Sequence, residues 1–341
     1  MKPLLSASLL ALAASAASVQ AQEKSLTISV YGVSQDTYKE ALYAPFEQKC
    51  GCKLVIEMGN SSERLAKLEA NAAKPVVDVI AFSDANALEA ADRGLIQPLD
   101  PAALASLPDL YDFARDPVGG NMAVGYTFYG TSIVYDSEVI DGVESWLDLL
   151  GDKLKGQVAL PNVSTTQGPL TLYMIETALG SDDPNFGKAI DLVAEHRDDI
   201  VTFYEKGGQI PQLMQQGEIA ASVIGRFGWA NLAKTVPGAR WASPKEGQAG
   251  GMNVLSVVKG TKDAALAQQF IDYWISTEVQ QKLAEAQVDS PVNQKVQVAA
   301  DVAEGLTYGP EMAASIRFLP ARDMLQNRDA WLNAWNAKVA Q

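Results

Sequence analysis

The chain has 341 residues, 48% of them hydrophobic and 20% charged, which is typical of a globular protein of about two domains and excludes a disordered chain. Acidic residues outnumber basic ones 41 to 27, and the net charge of −14 argues against nucleic acid as a partner, because nucleic-acid-binding surfaces are basic. One histidine, His196, and two cysteines are too few for a zinc site of several histidines or of four cysteines, so we expect no metal and no cofactor.

Residues 1–21 have the pattern of a secretory signal peptide. Lys2 supplies the positive start, the apolar run over 4–14 is mostly Leu and Ala, and Val19 and Ala21 are the small residues that a signal peptidase reads. A membrane anchor is the alternative interpretation, but the apolar run is too short to span a bilayer. We therefore expect cleavage near Ala21 and a soluble protein in the periplasm.

The two cysteines, Cys50 and Cys52, flank a glycine. On an extended strand, residues two apart have Cα atoms near the upper distance limit for a disulfide, and a turn at Gly51 would bring them closer. Because an exported protein meets oxidising conditions, a local disulfide and two free thiols both fit the sequence. A Cys-x-Cys metal or redox site is a third interpretation, but no further cysteine and only one histidine are available to complete it.

The first hundred residues predict alternating strands and helices. Hydrophobic periodicity predicts strands over 26–31, 52–58 and 76–82. Helices are predicted over 37–49, from a cap at Ser61 or Ser62 to Asn71, and from Ser83 and Asp84 to Arg93. This order is typical of a parallel sheet between helices.

Beyond Pro98 the pattern changes, but strands and helices continue to alternate. The predicted strands are 123–135, 156–161, 219–224 and 252–258, and the predicted helices are 169–179, 185–195, 262–285 and a last one from Asp301. Trp331 and Trp335 lie four residues apart in that last helix and indicate core packing. The chain thus holds at least two α/β units, in which ligands bind beyond the carboxyl ends of the strands.

The loops after the predicted strands are rich in hydroxyl groups, small residues and backbone amides at helix starts, which suit an anionic group. Arg226 follows the strand over 219–224 and adds a fixed charge with a planar donor fork. Ordinary helix caps, and for Arg226 an ion pair, are the alternative interpretations. The candidate ligand-binding residues in these loops are Tyr31, Ser34, Ser61, Ser83, Asp84, Ser164, Thr165 and Arg226.

Aromatic side chains are candidates for the walls of a site. Tyr126 and Tyr129 lie in the long predicted strand over 123–135, and Trp229 follows Arg226. Aromatic faces suit an ammonium group through cation–π attraction, whereas core packing is the alternative role.

Catalytic motifs are sparse. A serine or cysteine nucleophile needs a positioned base, and His196 lies in a charged segment typical of a solvated surface. Phosphate-binding and dinucleotide-binding glycine motifs are also missing from the sequence. The sequence therefore favours a binding protein over the alternatives of an exported enzyme or a ligand-free adhesion protein.

The order of segments resembles the periplasmic solute-binding proteins of ABC importers, and most of all their spermidine/putrescine-binding branch. The matching stretches are 26–32, 57–61, 78–83, 129–135, 220–224 and 243–247. The resemblance implies an α/β, two-lobed type II periplasmic binding protein fold, with a mainly parallel sheet and flanking helices in each lobe. It also implies a small-molecule ligand in the cleft between the lobes and delivery to an ABC permease in the inner membrane, by a monomer.

The resemblance also places the lobes along the chain. Lobe 1 is expected over 22–130 and 252–305, and lobe 2 over 131–251 and 306–341. The crossovers between them are expected near 129–135 and 252–258.

This sequence departs from the polyamine-binding pattern where carboxylates are needed. Gly251 and Asn253 stand where that branch has a Trp and an Asp, and Arg226 lies beside a position where it has an aromatic residue. A dication in this cleft would lack charge compensation, which is costly. We therefore expect a ligand with an anionic group, such as a 4-aminobutyrate-like amino acid or an aminoalkylphosphonate, with a polyamine as the alternative. Glu246, Asp84 or the tyrosines would meet an amine, and Asn253 is the last candidate site residue.

Overall fold

The computed structural model describes residues 24–340, so the predicted signal peptide lies outside the described residues. The strands are β1 (Ser25–Val30), β2 (Lys53–Met58), β3 (Val79–Ser83), β4 (Ile96–Gln97), β5 (Val124–Asp136), β6 (Val158–Pro161), β7 (Ile200–Tyr204), β8 (Ala221–Gly225), β9 (Ala239–Trp241), β10 (Gln248–Val258) and β11 (Ile316–Phe318). Within residues 24–340, no helix is both long enough and apolar enough to cross a membrane.

Helices cover the sheet. They are α1 (Gln35–Tyr38), α2 (Ala44–Cys50), α3 (Ser61–Ala70), α4 (Asp84–Asp92), α5 (Asp112–Arg115), α6 (Gln167–Ala178), α7 (Gly187–Glu195), α8 (Ile210–Gln215), α9 (Trp229–Thr235), α10 (Ala264–Trp274), α11 (Thr277–Glu285), α12 (Ala300–Ala303), α13 (Pro310–Ser315) and α14 (Ala321–Lys338). A π-helical segment, Lys39–Tyr43, joins α1 to α2, so the predicted helix over 37–49 is present but not uniformly α-helical.

The strands form one mixed sheet in the order β2-β1-β3-β10-β5-β8-β6-β7, with β4 and β11 paired to β10 and β9 paired to β5. The pairs β1–β2 and β1–β3 are parallel, as are β6–β7 and β6–β8. The long strands β5 and β10 pair antiparallel with each other and join these two parallel parts. The predicted parallel βα units are therefore confirmed at both ends of a sheet whose centre is antiparallel.

The two parts of the sheet have separate hydrophobic cores. The first packs β1, β3 and the nearby helices around Phe46, Phe82 and Trp274, and the second packs α6, α7 and α14 around Trp146 and Trp331. Strands β5 and β10 contribute side chains to both cores.

The C-terminal part differs from the single helix predicted from Asp301. It contains α12, α13, β11 and α14, because Pro310 starts α13 and Pro320 precedes α14, and proline lacks the N–H that a helix interior needs. Ile316 of β11 belongs to the first core, whereas Trp335 of α14 belongs to the second. The chain therefore passes from the first core to the second between β11 and α14.

Two helix boundaries also differ from the prediction. The cap of α3 is Asn60 rather than Ser61 or Ser62, since its side chain accepts the Glu63 N–H while Glu63 bonds back to the Asn60 N–H. The predicted helix over 262–285 is divided at Ser276, whose extended backbone ends α10 and whose hydroxyl caps α11.

Cys50 and Cys52 form a disulfide across a left-handed glycine, with Cα atoms 5.2 Å apart. Gly51 has φ of 61°, a conformation that glycine adopts without steric cost. Of the interpretations open from the sequence, the structure has the local disulfide.

Candidate ligand-binding site

A cavity of about 350 Å³ lies where β1 and β8 end and the middle segments of β5 and β10 pass between the two parts of the sheet. Its other wall is formed by the loop after α11 and by residues 305–307. This volume is at the small end of the range for small-molecule sites.

A bulge in the central ladder helps to shape this cavity. Asn253 of β10 pairs with Thr127 of β5, but the next residue, Val254, pairs with Gly125, which leaves Tyr126 as the extra residue. Bulges re-aim side chains beside binding sites, and Tyr126 lines the cavity. Its carbonyl group accepts a hydrogen bond from Gln280 of α11 at 2.9 Å.

Tyr31 forms the wall at the end of β1. Its hydroxyl donates to Asn253 Oδ1 at 3.2 Å, and its ring lies 4.0 Å from the guanidinium of Arg64. Arg64 is buried and donates to the carbonyl groups of Gly59 and Ala81, so one cation links the residue after β2 and the middle of β3 to the ring of Tyr31. Burial lowers the pKa of Arg64. Sequence reasoning missed this residue because it lies inside a helix.

Arg226 is the cation of the cavity and directly follows β8. It is 8% exposed, and its guanidinium lies 4.6 Å from the ring centre of Trp241 and 5.4 Å from that of Trp229. Nη2 donates to the backbone carbonyl of Glu304, while Nε is buried without a hydrogen-bond partner. Burial lowers the pKa of Arg226 to about 10, so the side chain is charged at neutral pH.

Asp289 supplies a carboxyl group to the same cavity. It follows α11, is 5% exposed, and accepts a hydrogen bond from the Tyr38 hydroxyl at 2.8 Å. Burial raises its pKa to about 7. Sequence reasoning missed Asp289, since the search followed the ends of strands and this residue follows a helix. Asp289 therefore adds a carboxyl group to Asp84 and Glu246, the two acidic residues that the sequence offered as partners for an amine.

The structure brings five of the twelve predicted site residues to the cavity: Tyr31, Tyr126, Tyr129, Arg226 and Asn253. Asp84 is near them, because its charge acts on Tyr129, and burial raises the pKa of Asp84 to about 6. Its Oδ1 accepts the N–H of Ala85 at the start of α4.

Three predicted serines have local backbone roles. Ser83 caps α4 by accepting the Asn86 N–H, and Ser61 accepts the N–H of Ser83 at 3.1 Å. Ser34 precedes α1 with φ of 52° and makes no side-chain cap.

The loop after β6 contributes differently from the prediction. Ser164 donates to the side chain of Asn162, and the Thr165 hydroxyl accepts the N–H of Gly168 at the start of α6. Thr166, the next residue, is the one that lines the cavity.

Glu246, predicted to meet an amine, is used elsewhere. Its carboxylate accepts the hydroxyl of Ser145 at 2.6 Å and the N–H of Trp146 at 3.3 Å, so it anchors the segment before β10 to the second core. It is not among the residues that line the cavity.

Two glycines allow aromatic rings to meet at the cavity. A Cβ atom on Gly251 would lie 2.2 Å from the hydroxyl oxygen of Tyr129, and one on Gly225 would lie 2.3 Å from the ring of Phe227. The side chains of Tyr129 and Phe227 therefore pack directly against glycine backbone. Their ring centres are 6.1 Å apart in an edge-to-face arrangement. Phe227 is 73% exposed and forms the outer edge of the site.

A small cavity between two α/β parts, with one buried cation, one buried carboxyl group and aromatic walls, defines a protein that binds a small polar solute. The chain belongs to the bacterial extracellular solute-binding protein family, whose model matches residues 41–309.

Named relatives agree with this assignment. The chain is 26% identical over 349 residues to a gamma-aminobutyric acid-binding protein of Pseudomonas aeruginosa, a match covering 95% of this chain and 94% of the relative. It is 27% identical over 264 residues to a putrescine/cadaverine-binding protein of the same species, covering 71% and 72%. The crystal structure of an ABC transporter from Clostridium perfringens is similar with a TM-score of 0.87 at 28% identity, covering 92% of this chain and 99% of that one.

The predicted fold and transport role are thereby confirmed. The fold is the two-lobed type II periplasmic binding protein fold, and the protein is a solute-binding protein of an ABC transporter. Members of this family bind small ligands between the lobes, deliver them to ABC permeases and act in the periplasm or outside the cell. The family and its named relatives are solute-binding proteins rather than enzymes.

Proposed function

We propose that this protein captures a short amino acid of the 4-aminobutyrate kind and that Arg226 binds the carboxylate of this ligand. The observation that carries the proposal is the state of Arg226, which is buried at the cavity with Nε lacking a hydrogen-bond partner. Among residues 24–340 its one hydrogen-bond acceptor is a neutral backbone carbonyl.

The charge of Glu304 acts on Arg226, but among residues 24–340 no carboxylate lies within 4 Å of its guanidinium. Burying a guanidinium without a paired anion is costly, and a ligand carboxylate would supply both a paired charge and acceptors for the planar donor fork. The rings of Trp229 and Trp241 limit how the guanidinium plane can turn, which favours a fixed direction of approach. An aminoalkylphosphonate would present its phosphonate to the same Arg226 guanidinium and is the second candidate ligand with an anionic group and an amine.

The relatives point in the same direction. The match to the gamma-aminobutyric acid-binding protein extends over nearly the whole of both chains. A polyamine is the competing ligand, favoured by the putrescine/cadaverine-binding relative and by the carboxyl group of Asp289 in the cavity. A diamine, however, would bring a second cation toward Arg226, and like charges at a desolvated site repel strongly.

The location and assembly of the protein are part of the proposal. We expect removal of residues 1–21 near Ala21, a monomer in the periplasm, and a ligand that leaves the cleft chemically unchanged. We also propose the two lobes predicted from the sequence, with lobe 2 resuming after β11; the change from the first core at Ile316 to the second at Trp335 supports that position. Mass spectrometry of the exported protein tests the cleavage, and light scattering tests the monomer.

Calorimetric titration of the exported chain tests the ligand. We expect binding of 4-aminobutyrate and no comparable binding of putrescine. Arg226→Gln should weaken the binding of 4-aminobutyrate roughly 100-fold, because a buried charge partner is lost. Arg240→Gln is the matched control, since Arg240 is exposed on β9 and should leave affinity unchanged. Putrescine binding without 4-aminobutyrate binding, or full affinity in Arg226→Gln, would refute the proposal.

A further inference from the structure

We infer that Asp289 binds the ammonium group of the ligand, so that the cavity selects amino acids over plain carboxylic acids and releases a proton when it fills. This inference rests on the proposed function and names the second half of the ligand.

Asp289 and Arg226 are held by different elements of the fold. Asp289 lies in the loop after α11, which is fixed to β5 because the N–H of Ser290 donates to the Thr127 hydroxyl at 3.1 Å. Arg226 lies at the end of β8. Both line one cavity of about 350 Å³.

The two groups do not neutralise each other. Among residues 24–340, neither Asp289 nor Arg226 forms an ion pair within 4 Å. A zwitterionic ligand places an opposite charge on each group. A monocarboxylate leaves Asp289 without a cation, and a diamine places a cation against Arg226.

Within the part of the chain that the structure describes, the groups that interact with Asp289 include no cation. The hydroxyls of Tyr38 in α1 and Thr127 in β5 form hydrogen bonds with its carboxyl group, and Tyr43 and Tyr126 are the other titratable side chains that interact with it. A ligand ammonium would thus be the first positive charge to reach this carboxylate, and tyrosine rings beside it favour a cation.

The expected release of a proton from Asp289 follows from this environment. Burial raises the pKa of Asp289 in the empty protein to about 7, so about half of the molecules carry the proton at pH 7. An ammonium group in contact favours the ionised form. The protonated carboxyl group therefore gives its proton to the buffer and pairs with the ammonium, and no covalent bond of the ligand changes.

Asp289→Asn tests the inference with an isosteric side chain whose amide oxygen still accepts from Tyr38. At pH 8 the wild-type protein should bind 4-aminobutyrate much more tightly than butyrate. Asp289→Asn should weaken 4-aminobutyrate binding roughly 100-fold and leave butyrate binding unchanged or stronger. Asp329→Asn, on the exposed face of α14, is the control and should behave as the wild type.

The outcomes separate the two proposals. Arg226→Gln should weaken both ligands together, whereas Asp289→Asn should weaken only the one with an amine. If the wild-type protein binds 4-aminobutyrate but Asp289→Asn keeps the same preference over butyrate, the role of Asp289 is wrong and the proposed function stands. If the wild-type protein binds neither ligand, the proposed function itself fails.

Proton release provides a measurement on the unaltered protein. Titration calorimetry in two buffers of different ionisation enthalpy should show about half a proton released per ligand at pH 7, rising toward one at pH 5.5 and falling toward zero at pH 9. Asp289→Asn should release none. A wild-type protein that binds 4-aminobutyrate with no proton release at pH 7 would overturn the inference even if the variant failed to fold.

Discussion

The carboxyl group of Asp289 should make the empty protein less stable as the pH rises, and Asp289→Asn removes this effect. The side chain is buried, and its strongest described contact is the hydrogen bond from the Tyr38 hydroxyl at 2.8 Å. Asparagine keeps an acceptor for that hydroxyl and carries no ionisable proton. The variant therefore isolates the free energy of burying the negative charge.

The magnitude follows from the pKa of Asp289. Its usual value is 3.8, and burial raises it to about 7 in the folded protein. Because the folded state binds the proton more tightly than the unfolded state, the stability from this group is fully present below about pH 4 and is lost as the pH rises through 7. Three pKa units correspond to a loss of about 4 kcal/mol in the free energy of unfolding at most.

Urea unfolding of the ligand-free protein at pH 4.5, 6 and 8 measures this loss. The stability difference between the wild type and Asp289→Asn should be smallest at pH 4.5 and should grow in favour of the variant at pH 6 and pH 8. Asp84, whose pKa burial raises to about 6, is present in both proteins and cancels in the comparison. A pH-independent difference, or a variant less stable at pH 8, would show that Asp289 is not a buried titrating acid.

Two further substitutions test the surroundings of the cavity. Gly251→Ala places a Cβ atom 2.2 Å from the hydroxyl oxygen of Tyr129, so the ring must move; we expect roughly 1–3 kcal/mol of destabilisation in denaturant melts and about tenfold weaker ligand binding by calorimetry. Unchanged affinity would place the ligand away from this ring. Glu246→Gln weakens the anchor before β10 and should cost about 1–2 kcal/mol in the same melts without changing ligand affinity. A loss of ligand affinity in Glu246→Gln with an unchanged free energy of unfolding would indicate that Glu246 contacts the ligand.

The fold was largely predictable because its main strands carry periodic apolar residues. Strands β1, β3 and β10 and helix α4 lie where hydrophobic pattern and capping residues predict them. The short strands β9 and β11 were not predicted, since three residues are too few for a period to show and their pairing depends on the long strands beside them.

The site was predictable only in part. Arg226 was found because it follows a strand, and the sheet brings the ends of strands together. Ser83 and Thr165 also sit at loop ends, but their hydroxyls accept backbone N–H groups of the following helices. The sequence shows the same hydroxyl in either role, so only the direction of the side chain separates a cap from a ligand contact. Asp289 lies in a loop whose sequence shows no binding motif, and it reaches the cavity only because that loop packs against β5.

The path of the chain through the first core also has a consequence for how the protein is made. That core joins residues from Leu26 to Phe128 with residues from Met252 to Ile316, and β10 lies between β3 and β5 in the sheet. While the ribosome is still producing the middle of the chain, the N-terminal strands lack this central partner and cannot complete their core. Folding of the first core thus waits until nearly the entire polypeptide has been made.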